Sequence, residues 1–94
     1  MNAATVRVRL PPILRSVMGG EEAIEGKGFT IQEVLQNVSG AYPALGLHLF
    51  DESGDARRNI VCLHRGDLVR AREFSRRAVT AGDELVLTNA LAGG

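Results

Sequence analysis

The sequence predicts a single α+β domain, in which one main helix packs across a mixed sheet of four to five strands. Three observations support this class: an alternating first strand, a helix with a capping sequence at its start, and apolar strand segments in the second half. The 94 residues suffice for one hydrophobic core but not for two domains. We expect residues 1–88 to form the domain and residues 89–94 to form a flexible tail.

The first strand is predicted from strict alternation of polar and apolar residues. Val6, Val8 and Leu10 fall on one face and polar side chains on the other, the period of a half-buried strand. The apolar stretch 13–18 is expected to be a loop that folds back against the core. Residues 21–26 are a weaker second strand, which would pair with the first as an edge hairpin.

The main helix is predicted from its capping box. The Thr30 hydroxyl can accept from the Glu33 amide, and the Glu33 carboxylate can reach back to the Thr30 N–H. Four apolar residues follow at helical spacing and form one core-facing stripe: Ile31, Val34, Leu35 and Val38. Gly40 is expected to end the helix in a left-handed conformation.

The second half of the chain supplies the remaining elements. Residues 42–50 are a short second helix or an irregular apolar connector, and residues 59–64 are a strand apolar on both faces. A two-residue turn at Arg65-Gly66 leads into the strand 67–71, and residues 84–88 form the last strand. The helix supplies a crossover, so the two terminal strands can pair in parallel at the sheet centre. This arrangement is the β-grasp fold.

The amino-acid composition and net charge of the chain exclude several classes of function. The chain is 45% hydrophobic and 23% charged, and its eleven basic and eleven acidic side chains give a net charge of zero. A strongly basic nucleic-acid binder is therefore not expected. The sequence shows neither an apolar run of membrane-spanning length nor a secretory leader, and its single cysteine, Cys62, excludes an internal disulfide. We expect a soluble cytoplasmic protein that does not bind membranes.

Two groups of side chains are candidate sites. Cys62 and His64 share a strand face, but nothing near them in sequence completes a metal site or a nucleophile with its base, so no metal and no bound cofactor are expected. Four arginines form a basic cluster in the second half, Arg70, Arg72, Arg76 and Arg77, with Arg57 and Arg58 upstream. With only Phe74 as an aromatic platform, a solvated face is favoured over nucleic-acid binding. Some of these arginines could instead steer docking onto an acidic partner.

The C-terminal end carries the chemistry. Gly93 and Gly94 follow a short arm of small residues that includes Leu91 and Ala92. Glycine has no Cβ, so such an end can thread into another protein's phosphate-binding pocket. A carboxylate becomes an electrophile after it attacks the α-phosphate of ATP, and sulfur can then displace the adenylate to give a thiocarboxylate. Partner docking is expected on the sheet near the tail, at Leu63, Leu85, Leu87 and Arg70.

The block 81–87 followed by 90–94 resembles the C-terminal signature of the ThiS/MoaD family of ubiquitin-like sulfur carriers. Residues 8–15 with Gly19-Gly20 are similar, more narrowly, to the CysO-type carriers. The resemblance implies that an MoeB-like, E1-like enzyme uses ATP to adenylate Gly94, and that the thiocarboxylate then donates sulfur to a biosynthetic enzyme. In the CysO type the recipient is a cysteine synthase that uses an activated serine, and a zinc metalloprotease then releases the amino acid.

Several alternatives stay open. The carrier, which is not itself an enzyme, could serve thiamin, molybdopterin or secondary-metabolite synthesis instead of cysteine synthesis. The chain could also be a ubiquitin-like modifier that forms isopeptide bonds, or the small subunit of molybdopterin synthase. The simplest alternative is a β-grasp interaction module in which the terminal glycines have no role.

Overall fold

The computed structural model describes residues 3–89. They form a mixed five-stranded sheet in the order β2-β1-β5-β3-β4. The strands are β1 (Ala4–Arg9), β2 (Ala23–Gly28), β3 (Ile60–His64), β4 (Asp67–Arg70) and β5 (Glu84–Asn89). The helices are α1 (Pro12–Arg15), α2 (Ile31–Ala41) and α3 (Pro43–Leu49), with single 3-10 turns at Ser16–Met18 and Ala71–Glu73. The predicted β-grasp is confirmed.

The terminal strands β1 and β5 are adjacent and parallel, with Val8 opposite Leu85. Strand β2 extends β1 as an antiparallel edge, and β3 pairs antiparallel with both β5 and β4. A two-residue turn joins β3 to β4, and both of its residues, Arg65 and Gly66, have positive φ. This backbone matches the twist of a tight hairpin, so the turn fixes the register of β3 against β4.

Helix α2 covers one face of the sheet, and the core lies between them. The residues of α2 that face the sheet are completely buried: Ile31, Val34, Leu35 and Val38. The helix approaches β2 so closely that a Cβ on Gly28 would lie 2.7 Å from the backbone nitrogen of Val34. A Cβ on Gly26 would meet Val38 Cγ1 at 2.7 Å. The two glycines of β2 are therefore required by packing, since only hydrogen fits at these positions.

The start of α2 follows the prediction with one change. The Thr30 hydroxyl accepts from the Glu33 N–H at 3.2 Å, as predicted. Glu33 Oε1 accepts from the Phe29 N–H at 2.8 Å, so its donor is the residue just before the expected partner, Thr30. The predicted stop at Gly40 is wrong. Gly40 lies inside the helix, which ends after Ala41 with the Tyr42 N–H donating to Val38 O.

Other boundaries differ modestly. The stretch 13–18, expected to be a loop, is helical: α1 buries Leu14 against the core, and the 3-10 turn Ser16–Met18 follows it directly. The connector 42–50 contains the short helix α3. Strand β5 runs one residue further than predicted, since Asn89 pairs with Ile60. The rest of the predicted tail, residues 90–94, lies outside the described residues.

Candidate functional site

Strand β5 has two different faces. Leu85 and Leu87 are 0% and 1% exposed and face the core beneath α2. Val86 and Thr88 lie on the opposite, outer face and are partly exposed. Because successive side chains of a strand point to opposite faces, Leu85 and Leu87 cannot contact a partner while the domain is folded. Their prediction as docking residues is therefore wrong.

The outer face carries an apolar row across three strands. Leu63 of β3 is 41% exposed and lies between Leu68 of β4, which is 52% exposed, and Val86 of β5. We call Leu63, Leu68 and Val86 the outer apolar row. Leu63 was predicted from the sequence and the other two were missed. The two-residue turn was the available signal, because it places Leu63 directly opposite Leu68.

Arg70 lies beside this row. It pairs with Val61 of β3, which pairs on its other side with Thr88 of β5. Arg70 is exposed and is two strand spacings, about 10 Å, from the end of β5. The predicted tail residues Leu91, Ala92, Gly93 and Gly94 lie outside the described residues, so the described part of the site is the surface around this strand end.

A buried polar network lies at the other end of β5, where the strand begins. The His64 side chain is 1% exposed, and its Nε2 is 2.7 Å from Asp83 Oδ2. Arg77 Nε donates to His64 Nδ1 at 2.9 Å, so Nδ1 carries no proton and Nε2–H is the donor to Asp83. Asp83 also accepts from the Thr80 N–H at 2.9 Å and lies 3.4 Å from the Arg65 guanidinium.

These contacts determine the charge of Asp83. Burial opposes its ionisation, but hydrogen bonds from His64 and Thr80, together with the charge of Arg65, hold the pKa of the Asp83 carboxyl well below its usual range. Asp83 directly precedes β5, so its carboxylate links the β3–β4 hairpin to the start of that strand. His64 and Asp83 resemble an acid–base pair, but the nearly complete burial of the imidazole makes this network structural. Sequence inspection missed the network because its members are 19 residues apart.

Cys62 is unsuited to chemistry in the folded protein. It is fully buried on the inner face of β3, and burial raises the pKa of the Cys62 thiol to about 12. Such a thiol is neither exposed nor ionised at neutral pH, so it is a poor nucleophile. In the part of the chain that the structure describes, no three His, Cys, Asp or Glu side chains come together as metal ligands. Phe74 is also fully buried and cannot stack on a base.

Comparison with known proteins identifies the family of this chain. The model of the ThiS family matches residues 8–94. The chain belongs to the ThiS family. It is 29% identical over 91 residues to the sulfur carrier protein CysO of Mycobacterium tuberculosis, a match that covers 95% of this chain and 98% of the relative. The predicted membership in a family of sulfur carriers is confirmed.

Solved structures of other proteins have the same fold as this ThiS-family chain over nearly its whole length. A chain of the BexX/CysO complex from Amycolatopsis orientalis is 31% identical with a TM-score of 0.76, covering 95% of this chain and 99% of that one. The small archaeal modifier protein 1 of Haloferax volcanii is 26% identical with a TM-score of 0.79, covering 94% of this chain and 99% of that one. Among residues 3–89, no helix has the length and apolar character needed to cross a membrane.

Proposed function

We propose that this protein carries sulfur as a thiocarboxylate on Gly94 and acts as a protein co-substrate of partner enzymes. The observation that carries the proposal is the family match, which extends through Gly94 and includes the glycine pair predicted from the sequence. The folded domain supplies the second support, because the last described strand, β5, carries Val86 of the outer apolar row and ends two strand spacings from Arg70.

The chemistry proceeds in two steps. The Gly94 carboxylate attacks the α-phosphate of ATP in the pocket of an MoeB-like adenylating enzyme, which forms an acyl-adenylate and releases pyrophosphate. A sulfide-level sulfur donor then attacks the acyl carbon and displaces AMP, which leaves the thiocarboxylate. The thiol of Cys62 takes no part, because it is buried and protonated.

The outer apolar row is the docking surface in this proposal. Its exposed leucines, Leu63 and Leu68, would be desolvated against an apolar patch of the partner, with Arg70 at the rim. Apolar centres with arginine nearby are typical of protein interfaces. The favoured sulfur acceptor is a cysteine synthase acting on an activated serine, followed by a zinc metalloprotease, since the chain is similar to CysO over 98% of that relative.

Intact mass spectrometry tests the proposal. After incubation with the adenylating enzyme, ATP and a sulfide source, the protein should gain about 16 Da, because sulfur replaces one oxygen. Deletion of Gly94 should abolish the gain, whereas Cys62→Ala should retain it. Full sulfur loading without Gly94, or loss of loading in Cys62→Ala with an intact fold, would contradict the proposal.

A second function is favoured by one observation. The similarity to the small archaeal modifier protein 1 supports conjugation of Gly94 to lysine side chains of other proteins. Both functions begin with the same adenylate and differ in the nucleophile, an amine in one and sulfur in the other. Immunoblots of cell extract separate them: higher-mass conjugates that disappear when Gly93 and Gly94 are deleted would favour the modifier.

A further inference from the structure

The zero net charge conceals a polarised surface. Residues 57–77 carry seven of the eleven basic side chains and two of the eleven acidic ones, so the remaining chain has four basic and nine acidic residues. All seven basic residues in this segment are arginines. The segment includes β3, the edge strand β4 and the 3-10 turn that follows them, so the positive charge lies on the β3–β4 side of the sheet.

Three of these arginines already have partners. Arg77 pairs with Asp67 at 2.8 Å, Arg65 lies 3.4 Å from Asp83, and Arg57 donates to the Leu47 carbonyl at 3.1 Å. These three bind to the protein's own acceptors and stabilise its loops. Arg65 and Arg77 are thereby paired with acidic groups, and the Arg57 guanidinium is held by a backbone carbonyl.

The other four arginines form what we call the arginine face. Arg58, Arg70, Arg72 and Arg76 are exposed, and none forms an ion pair with another described residue. Two open clefts adjoin at Arg72. One, of about 660 Å³, is lined by Arg58, Arg70 and Arg72, and the lining of the other, of about 750 Å³, includes Arg72, Arg76 and Leu68 together with the acidic residues Asp67 and Glu73. Glu73 Oε1 accepts a hydrogen bond from the backbone N–H of Arg70 at 3.4 Å.

From this arrangement we infer that the arginine face binds an acidic surface of the adenylating enzyme and brings the C-terminal residues to its nucleotide pocket. The inference rests on the proposed function and names the chemistry of its first partner. Unpaired guanidinium groups match carboxylates in bidentate geometry. A positive patch on a neutral protein also orients its approach to a negative surface, which raises the association rate more than the final affinity.

The position of the face favours a protein over a nucleic acid. Arg70 lies about 10 Å from the end of β5, and Leu68 belongs both to one cleft and to the outer apolar row. Exposed leucines beside arginines suit a protein interface, whereas single-stranded nucleic acid would need aromatic platforms, and Phe74 is fully buried. One partner could therefore cover the row and the arginine face together.

Charge reversal tests the inference. The variant Arg72→Glu/Arg76→Glu should lower the association rate with the purified adenylating enzyme of the same organism at least about 10-fold at low salt, and should weaken the salt dependence of that rate. Arg76→Glu alone should have an intermediate effect. The matched control is Lys27→Glu, an exposed reversal on the opposite edge strand β2, which should stay within about 2-fold of the unmodified protein.

The outcomes separate the two proposals. Binding is measured without ATP by biolayer interferometry, and sulfur loading is measured separately by intact mass. Normal loading with equal association rates for Arg72→Glu/Arg76→Glu and Lys27→Glu would overturn the arginine face alone. Charge-dependent binding without any loading would overturn the sulfur-carrier proposal and support the face. Absence of binding would overturn the face, as would salt-sensitive binding of a labelled single-stranded DNA that is lost in Arg72→Glu/Arg76→Glu.

Discussion

The two faces of the central sheet differ in what they require of the sequence. On the inner face, Leu85 and Leu87 are buried beneath α2, and at Gly28 even a methyl group would collide with the helix backbone. On the outer face, Leu63 and Leu68 are 41% and 52% exposed. Neighbouring residues of one strand, such as Cys62 and Leu63 of β3, thus contribute in turn to the core and to the surface. The fold constrains the inner side chains, whereas the outer ones are available for a partner.

The largest expected effect comes from a matched pair of leucine truncations. Leu85→Ala should lower the free energy of unfolding by about 2–5 kcal/mol, because it leaves a cavity in the core. Leu63→Ala should lower it by less than about 1 kcal/mol, since its side chain is already partly in water. Denaturant titrations followed by circular dichroism measure both values.

Binding to the adenylating enzyme should show the reverse order. Folded Leu85→Ala should bind as the unmodified protein does, while Leu63→Ala should bind more weakly. If the two variants lost equal stability, or if Leu85→Ala alone weakened binding, the assignment of the two faces would be incorrect.

The difference between the inner and outer faces of the sheet also explains how much of the structure could be predicted from the sequence. Alternation identified Val6 and Val8 as core residues and the capping box placed the start of α2, because both patterns are local. The docking residues were predicted only in part, since leucines suit a core and an interface equally. Assigning Leu63 outward and Leu85 inward required the pairing of strands distant in sequence. The network of His64 and Asp83 was missed for the same reason.

A second comparison uses two glycines. Gly28→Ala should cost about 1–3 kcal/mol, because its Cβ would lie 2.7 Å from the Val34 nitrogen and 2.8 Å from Glu33 Cβ. Gly40→Ala should instead stabilise the protein by up to about 1 kcal/mol, since Gly40 is helical and a Cβ there meets nothing within 4 Å. Thermal unfolding midpoints should move in opposite directions. A rise in both midpoints would show that α2 can move away from β2.

The smallest expected effect concerns the start of β5 and depends on pH. Asp83→Asn removes the carboxylate that accepts from His64 and Thr80, and should cost about 1 kcal/mol at neutral pH. Because the pKa of Asp83 is lowered in the folded state, its contribution is complete above the unfolded value of about 3.9 and is lost as the pH falls through the lower folded value. The stability gap between the two proteins should therefore be constant from neutral pH to about 5 and should shrink below about pH 4.

Urea titrations at a series of pH values measure this gap, and Asp55→Asn is the control. Asp55 is an exposed loop carboxylate, so its removal should change the unfolding free energy by no more than about 0.5 kcal/mol at any pH. A gap for Asp83→Asn that widened in acid would mean that Asp83 is protonated in the folded protein. The carboxylate could not then link the β3–β4 hairpin to β5, and the outer face would depend on strand pairing alone.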